Sequence, residues 1–170
     1  MPQNRKSSPR LRGYEYSLPG GYFVTICTYK RVNSFGEVLD REMLLNRAGE
    51  IAQSAWRDLP NHYVNIQLDH YVVMPNHLHG IIFIKETDRR DRFLNLSLQK
   101  QHGLSEIVRG YKTWSARKMN QAMKSTGSPV WQRSFHDRVI RDEEELNRIR
   151  EYIEANPLNW ERDEENPKNI

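Results

Sequence analysis

Two histidines, His77 and His79, stand one residue apart at the head of an apolar run, with Leu78 between them. On a strand, residues i and i+2 project from the same face, so both imidazoles can reach a single ion. Imidazole is the commonest protein metal ligand, but a pair of histidines needs further donors to make a site. Tyr152 and Asn156 are four residues apart in a stretch of helical periodicity, which places a phenol and an amide oxygen on one helical face. The amide can complete a ligand set, and the phenol can face a phosphate that the metal polarises. A divalent ion held by imidazoles and oxygens withdraws charge from a phosphodiester and orients it for in-line attack. A tyrosine, with an ordinary pKa of about 10, attacks only where nearby positive charge favours its phenolate. The phosphotyrosine so formed conserves the energy of the broken linkage, so strands can be rejoined without ATP.

Of the eight tyrosines, Tyr111 is the other helical candidate, close to Arg109 and Lys112. The residue four beyond it is Ser115, a weak metal ligand, and Tyr152 is favoured on that ground. A metal hydrolase that activates water would bring a recognisable run of histidines and aspartates. His62, Asp69 and His70 do not form one.

The elements that must position these groups can be read from periodicity. Residues 22–28 are β-branched and aromatic after Pro19-Gly20-Gly21, which predicts a strand. Apolar positions over 43–56 recur at helical spacing, and Pro60 closes that helix. Strands over 64–73 and 77–85 flank the turn Met74-Pro75-Asn76 and predict a hairpin. A second helix is expected over 105–123, a fourth strand over 130–135, and a last helix from Asp142, whose capping-box partner is Glu145, to Asn156. In that last helix Leu146, Ile149 and Ile153 form an apolar stripe that packs on the sheet.

The order β-α-β-β-α-β-α predicts an α+β fold of the split βαβ, ferredoxin-like kind: a four-stranded antiparallel sheet with helices on one face. The seventh element is an extra C-terminal helix, and it carries the tyrosine. Three parts are expected: a flexible basic arm over 1–13, one domain over 14–160, and an acidic, polar tail over 161–170.

Composition limits the function classes. The single cysteine, Cys27, excludes an internal disulfide and a cysteine-rich zinc cage and fits a reducing, cytoplasmic setting. No apolar stretch approaches the roughly 20 residues that span a bilayer, and the basic N-terminal residues have no apolar segment behind them, so neither membrane nor signal peptide is expected. The net charge of +4 and pI near 9.2 permit a polyanionic partner without demanding one.

Four segments together resemble a known family: Tyr22-Phe-Val-Thr-Ile-Cys-Thr28, Tyr71-Val-Val-Met-Pro-Asn-His-Leu-His-Gly80, Trp131-Gln-Arg-Ser-Phe-His136 and Tyr152-Ile-Glu-Ala-Asn-Pro157. They are similar to the single-tyrosine HUH transposases, and within them to the REP-associated tyrosine transposases, in order from about residue 13 to residue 160. The resemblance implies an HUH endonuclease fold and a divalent metal, Mg²⁺ or Mn²⁺. It also implies cleavage of single-stranded DNA through a 5′-phosphotyrosine that leaves a free 3′-hydroxyl, in a prokaryotic, nucleoid-associated protein. By position His77 and His79 match the paired metal histidines, Tyr152 the nucleophile, and Asn156 a third, polar ligand. Relatives recognise hairpins formed by imperfect palindromes, as monomers or homodimers. Candidate DNA contacts are Arg10 and Arg12 in the arm, Arg89, Arg90 and Arg92, then Arg109, Lys112, Arg117 and Lys118, with Arg133 and His136 before the last helix. The alternative is a domesticated copy that binds DNA hairpins as a regulator without catalysis; the intact histidines and tyrosine argue against it.

Overall fold

The computed structural model describes residues 18–86 and 102–169. Arg10 and Arg12 in the arm, and Arg89, Arg90 and Arg92, lie outside them. No helix among the described residues is long and apolar enough to cross a membrane.

Strand β1 (Gly20–Cys27) is followed by a hairpin of β2 (Gly36–Leu39) and β3 (Glu42–Leu45), helix α1 (Arg47–Arg57) and a single turn, α2 (Leu59–His62). Strands β4 (Ile66–Val73) and β5 (His77–Ile84) come next, then helix α3 (Leu104–Ala122), strand β6 (His136–Ile140) and helix α4 (Glu143–Ala155). The main sheet has the order β4-β5-β1-β6, antiparallel throughout. This is the expected ferredoxin-like topology, with β1 and β5 as the buried central pair.

Strand alternation divides the sheet into two unlike faces. Tyr22, Val24, Ile26, Leu78, Ile82 and Ile84 point to one side, where they join Ala52, Trp56, Ile107 and Tyr111 of α1 and α3 in the main core. Close packing there needs Gly80, because a Cβ on it would stand 2.3 Å from Cζ2 of Trp56. The residues between them, Phe23, Thr25, His77, His79 and Ile81, project to the opposite side. Helix α4 covers part of that side, with Leu146, Ile149 and Ile153 packed on Ile81 as the sequence stripe predicts.

Two elements differ from the sequence reading. The first helix begins at Arg47, four residues later than its apolar spacing suggests, because Asn46 caps it by accepting from the Ala48 and Gly49 amides at 2.9 and 3.0 Å. The residues before it alternate in exposure and form β3, turned back on β2 through Asp40 and Arg41, both at positive φ. The expected fourth strand over 130–135 is also displaced. Strand alternation there would place Arg133 on the same face as Trp131 and Phe135, burying a cation in the core. Instead Trp131 and Phe135 are buried, Arg133 is exposed, and this segment meets the end of β1 through the Thr28–Trp131 bridge and a 2.9 Å bond from the Gln132 amide to the Cys27 carbonyl. The paired strand is β6, whose Val139 joins the core while His136 and Arg138 lie opposite Thr25 and Phe23.

Candidate metal and nucleotide-cleavage site

The two histidines enter the site already oriented. Asn76, in the turn before β5, donates its amide to the carbonyls of Arg31 at 3.2 Å and Glu165 at 2.7 Å. Both amide hydrogens are thereby used, so its Oδ1 accepts the 2.8 Å bond from Nδ1 of His77. That fixes the proton on Nδ1 and leaves a lone pair on Nε2, the arrangement a metal ligand requires. His79 is held through Nδ1 by Thr25 Oγ1 at 2.9 Å, its neighbour across the sheet. The two rings meet edge to face with centroids 4.4 Å apart.

Both imidazoles are buried and neutral. Burial pushes His77 down to about 4, against the opposite pull of the Asp163 carboxylate. Burial, and then His77 itself, hold His79 well below 6.5. Neutral imidazole is the form that binds metal.

Helix α4 delivers the rest. Asp142 caps it by accepting the Glu145 amide at 2.7 Å, and Glu145 reaches back to the Arg141 amide at 2.9 Å. At the middle of the helix, Arg150 forks onto Asp69 with bonds of 2.9 and 2.7 Å. His70 bridges Asp69 and Glu154 at 2.7 and 2.9 Å. Asp69 and His70 lie where the β4–β5 register slips, so the irregularity in β4 turns both side chains toward α4. His70 and Asp69, which the sequence leaves without a role, thus tie the helix to the sheet edge.

So anchored, α4 sets the hydroxyl of Tyr152 3.3 Å from Nε2 of His79. The phenol remains 47% exposed at the mouth of the site. Burial of its inner side and then the negative charge of Asp163 push it up to about 12, so with these neighbours alone it keeps its proton. Tyr111 is a core residue: it is fully buried, its hydroxyl donates to the Ala52 carbonyl at 3.2 Å, and its ring packs edge-on against Trp56.

Asn156, one turn after Tyr152, is buried and donates its amide to Oδ2 of Asp163 at 2.9 Å. The residues read from sequence as a polar tail fold back over the site in two short turns, Trp160–Arg162 and Pro167–Asn169. Between them Asp163 is buried and its donor oxygen, with nitrogens of His77 and His79, falls in a set whose members all lie within 4.8 Å of one another. Glu165 locks the fold-back through a 2.7 Å ion pair with Arg31. Asp163 and Asn76 are the site residues that sequence spacing did not mark. One lies beyond the last predicted helix, and the other looked like an ordinary turn residue.

The donor set fits a divalent cation. Nε2 of His77 and Oδ1 of Asn156 are buried without a hydrogen-bond partner. The buried carboxylate of Asp163 meets only neutral donors, Asn156 and the Glu165 amide, and no ion pair among the described residues reaches it. Orphaned acceptors and an unneutralised buried anion around neutral imidazoles are costly unless a cation sits among them.

Of the expected DNA contacts, His136 lies opposite Thr25 on the site face, and Arg133 is exposed just before it. Arg109, Lys112, Arg117 and Lys118 belong to α3, in the layer on the other side of the sheet. Lys112 there donates to the carbonyls of Gln132 and Ser134 at 2.9 and 2.7 Å, and Lys118 lies 3.7 Å over the Trp114 ring.

Known proteins with the same features define the class. The sequence profile of the family described as "Transposase IS200 like" matches residues 22–156, and the chain belongs to that family, whose activity is that of a DNA transposase and endonuclease. An uncharacterized protein of Haemophilus influenzae is 36% identical over 95% of this chain and 93% of its own length. Among solved structures, a REP-associated tyrosine transposase bound to a REP hairpin shares the fold with a TM-score of 0.57 at 18% identity, over 94% of this chain and 74% of its own. A Deinococcus radiodurans protein described as a transposase gives a TM-score of 0.50 at 20% identity, over 86% of this chain and 95% of its own.

Proposed function

We propose that this protein is a divalent-metal-dependent endonuclease and strand transferase for single-stranded DNA, with Tyr152 as its nucleophile. The observation that carries the reading is the hydroxyl of Tyr152 at 3.3 Å from His79, on the rim of a buried donor cluster of His77, His79 and Asp163. In the reaction, Tyr152 Oη bonds to phosphorus and the P–O3′ bond breaks, giving a 5′-phosphotyrosine and a free 3′-hydroxyl. His77, His79 and Asp163, with Oδ1 of Asn156, would hold Mg²⁺ or Mn²⁺. When bound, such an ion supplies positive charge to a non-bridging phosphate oxygen and to the neighbouring phenolate. Asn76 keeps His77 in the ligand tautomer, Thr25 orients the His79 ring, and the Arg150–Asp69 fork keeps the phenol at the rim. Tyr152 lies 3.3 Å from His79 of its own chain, which favours a site built within one copy. The REP hairpin bound to the solved structure of similar fold supports a hairpin as the substrate.

The test is incubation with Mn²⁺ and labelled single-stranded hairpin DNA from the sequence flanking the gene, followed by a denaturing gel beside Tyr152→Phe. A slow, protease-sensitive adduct with the wild type and none with the variant is the expected result. Nicking that survives in Tyr152→Phe would overturn the assignment in favour of a water nucleophile. Tight binding without cleavage would instead establish a non-catalytic hairpin-binding protein.

A further inference from the structure

Tyr152 is a wall shared by two clefts. On one side lie Asn156, Asn159, Arg162, Asp163 and Glu164, which form the outer edge of the metal site. On the other side Tyr152 closes a second cleft, lined by Phe23, Arg138, Glu145, Arg148 and Ile149. Its volume of about 350 Å³ is at the small end of ligand pockets, which run to roughly 1,000 Å³. Glu145, Arg148, Ile149 and Tyr152 of α4 and Asn156 at its C-cap, which line the two clefts, follow the three- and four-residue spacing of one helical face. The two clefts therefore lie along one face of the helix, on either side of Tyr152.

The two halves differ in chemistry. The metal half is polar and acidic. The second half has an apolar floor, Phe23 and Ile149, and a cationic rim, Arg138 and Arg148. Phe23 is only half-buried, stacks on His79 with centroids 5.3 Å apart, and meets Tyr152 edge-on at 6.1 Å. Arg138, its cross-strand neighbour, contacts the buried carboxylate of Glu145 and stays 66% exposed. Arg148 pairs with the exposed Glu144 at 2.8 Å, a surface pair that is easily exchanged for a better anion. A guanidinium has five N–H donors, so neither arginine is used up by its carboxylate.

We propose that this cleft is a subsite for one nucleotide of single-stranded DNA adjacent to the scissile phosphate, the base resting on Phe23 and Ile149 and its phosphate meeting Arg138 and Arg148. The proposal rests on the functional reading above for the presence of DNA at Tyr152. A strand that crosses the nucleophile must continue in both directions, and one of these directions leads into this cleft. A base offers the flat apolar face that the floor accepts, and its backbone offers the anion that the rim accepts. The sequence reading assigned neither Phe23, Arg138 nor Arg148 to DNA.

The experiment uses the Tyr152→Phe chain, which cannot cleave, with oligo(dT) carrying 4-thiothymidine as the probe. Irradiation is expected to crosslink the strand to the peptides of β1 around Phe23 and of the first half of α4. Phe23→Leu keeps the apolar volume, removes the aromatic face, and is expected to weaken oligo(dT) binding about tenfold, the scale of one stacked base. Arg148→Gln, at an exposed position that folding does not depend on, is expected to lower the slope of log affinity against log salt by about 0.7, the value for one phosphate of a single strand. Affinity and salt slope unchanged in both variants, with crosslinks confined to other elements, would overturn the subsite; so would the absence of any oligo(dT) binding. If oligo(dT) crosslinks here while the wild type forms no tyrosine adduct, the subsite stands and the nucleophile assignment falls. An adduct in the wild type together with binding that ignores Phe23 and Arg148 has the reverse meaning.

Discussion

The two faces of the four-stranded sheet are built from the same strands and do different work. On the face under α1 and α3, Tyr22, Val24, Ile26, Leu78, Ile82 and Ile84 of β1 and β5 are buried in the main core. On the face under α4 the intervening residues include Thr25, His77 and His79, packed beside Ile81 and Phe83. A single strand therefore serves stability and chemistry independently, because alternation sends adjacent side chains to different environments. Leu78 and its neighbours His77 and His79 are the sharpest case.

The largest expected separation comes from setting Tyr152→Phe against Leu78→Ala. Tyr152→Phe should abolish covalent adduct, a loss of at least about a thousandfold, while leaving the unfolding free energy from urea titration within about 0.5 kcal/mol of wild type. Leu78→Ala should cost roughly 2–5 kcal/mol of stability by emptying part of the dry face, while the folded fraction still forms adduct. Equal damage to both properties by either variant would break the division of labour.

Acid should separate the faces next. In metal-free protein His77 is buried with its folded pKa near 4, below its ordinary 6.5. Between those values the unfolded chain binds the extra proton, so stability is complete above about 6.5 and falls as pH drops toward 4. The loss is on the order of 3 kcal/mol. Urea midpoints across this range, in chelator, should show the fall for wild type and a flatter curve for His77→Asn. Saturating Mn²⁺ should raise the wild-type midpoint and leave the variant's nearly unmoved.

Arg150→Ala tests the anchor of α4. Removing its forked contact to Asp69 should lower stability modestly and slow adduct formation, while affinity for Mn²⁺, read calorimetrically, stays the same. Unchanged adduct kinetics would show that apolar packing alone positions the tyrosine. The smallest effects are at the helix caps. Asn46→Ala and Asp142→Ala should each cost about 1 kcal/mol. Only the second should also slow adduct formation, since α4 carries the tyrosine and α1 does not.

Much of this was legible in the sequence where period and chemistry agree. The strands carrying residues 22–27 and 77–84, the stripe Leu146, Ile149 and Ile153, and the cap at Asp142 all follow from local pattern, and the structure contains them. The errors arose where one pattern serves two periods. Met43 and Leu44 fit a helix as well as a strand until Asn46 is recognised as the cap, and Trp131 and Phe135 look like a strand although they reach the core from a loop. At the site, His77, His79, Tyr152 and Asn156 meet as their spacing suggested. Asp163 was not legible, because its position depends on turns after α4 and on the Arg31–Glu165 ion pair, contacts far apart in sequence. Phe23 was hidden by its own ordinariness, an aromatic in a strand like many others.

The strand order also favours one sequence of events during folding. Strands β4 and β5 are consecutive and form a local hairpin, so the two histidines can be in register early. Strand β6 must find β1 across most of the chain before α4 can settle on the sheet and present its phenol. On this ordering the imidazoles would be paired before Tyr152 comes to face them. Under the proposed function, cleavage competence would arrive only with this last, long-range pairing.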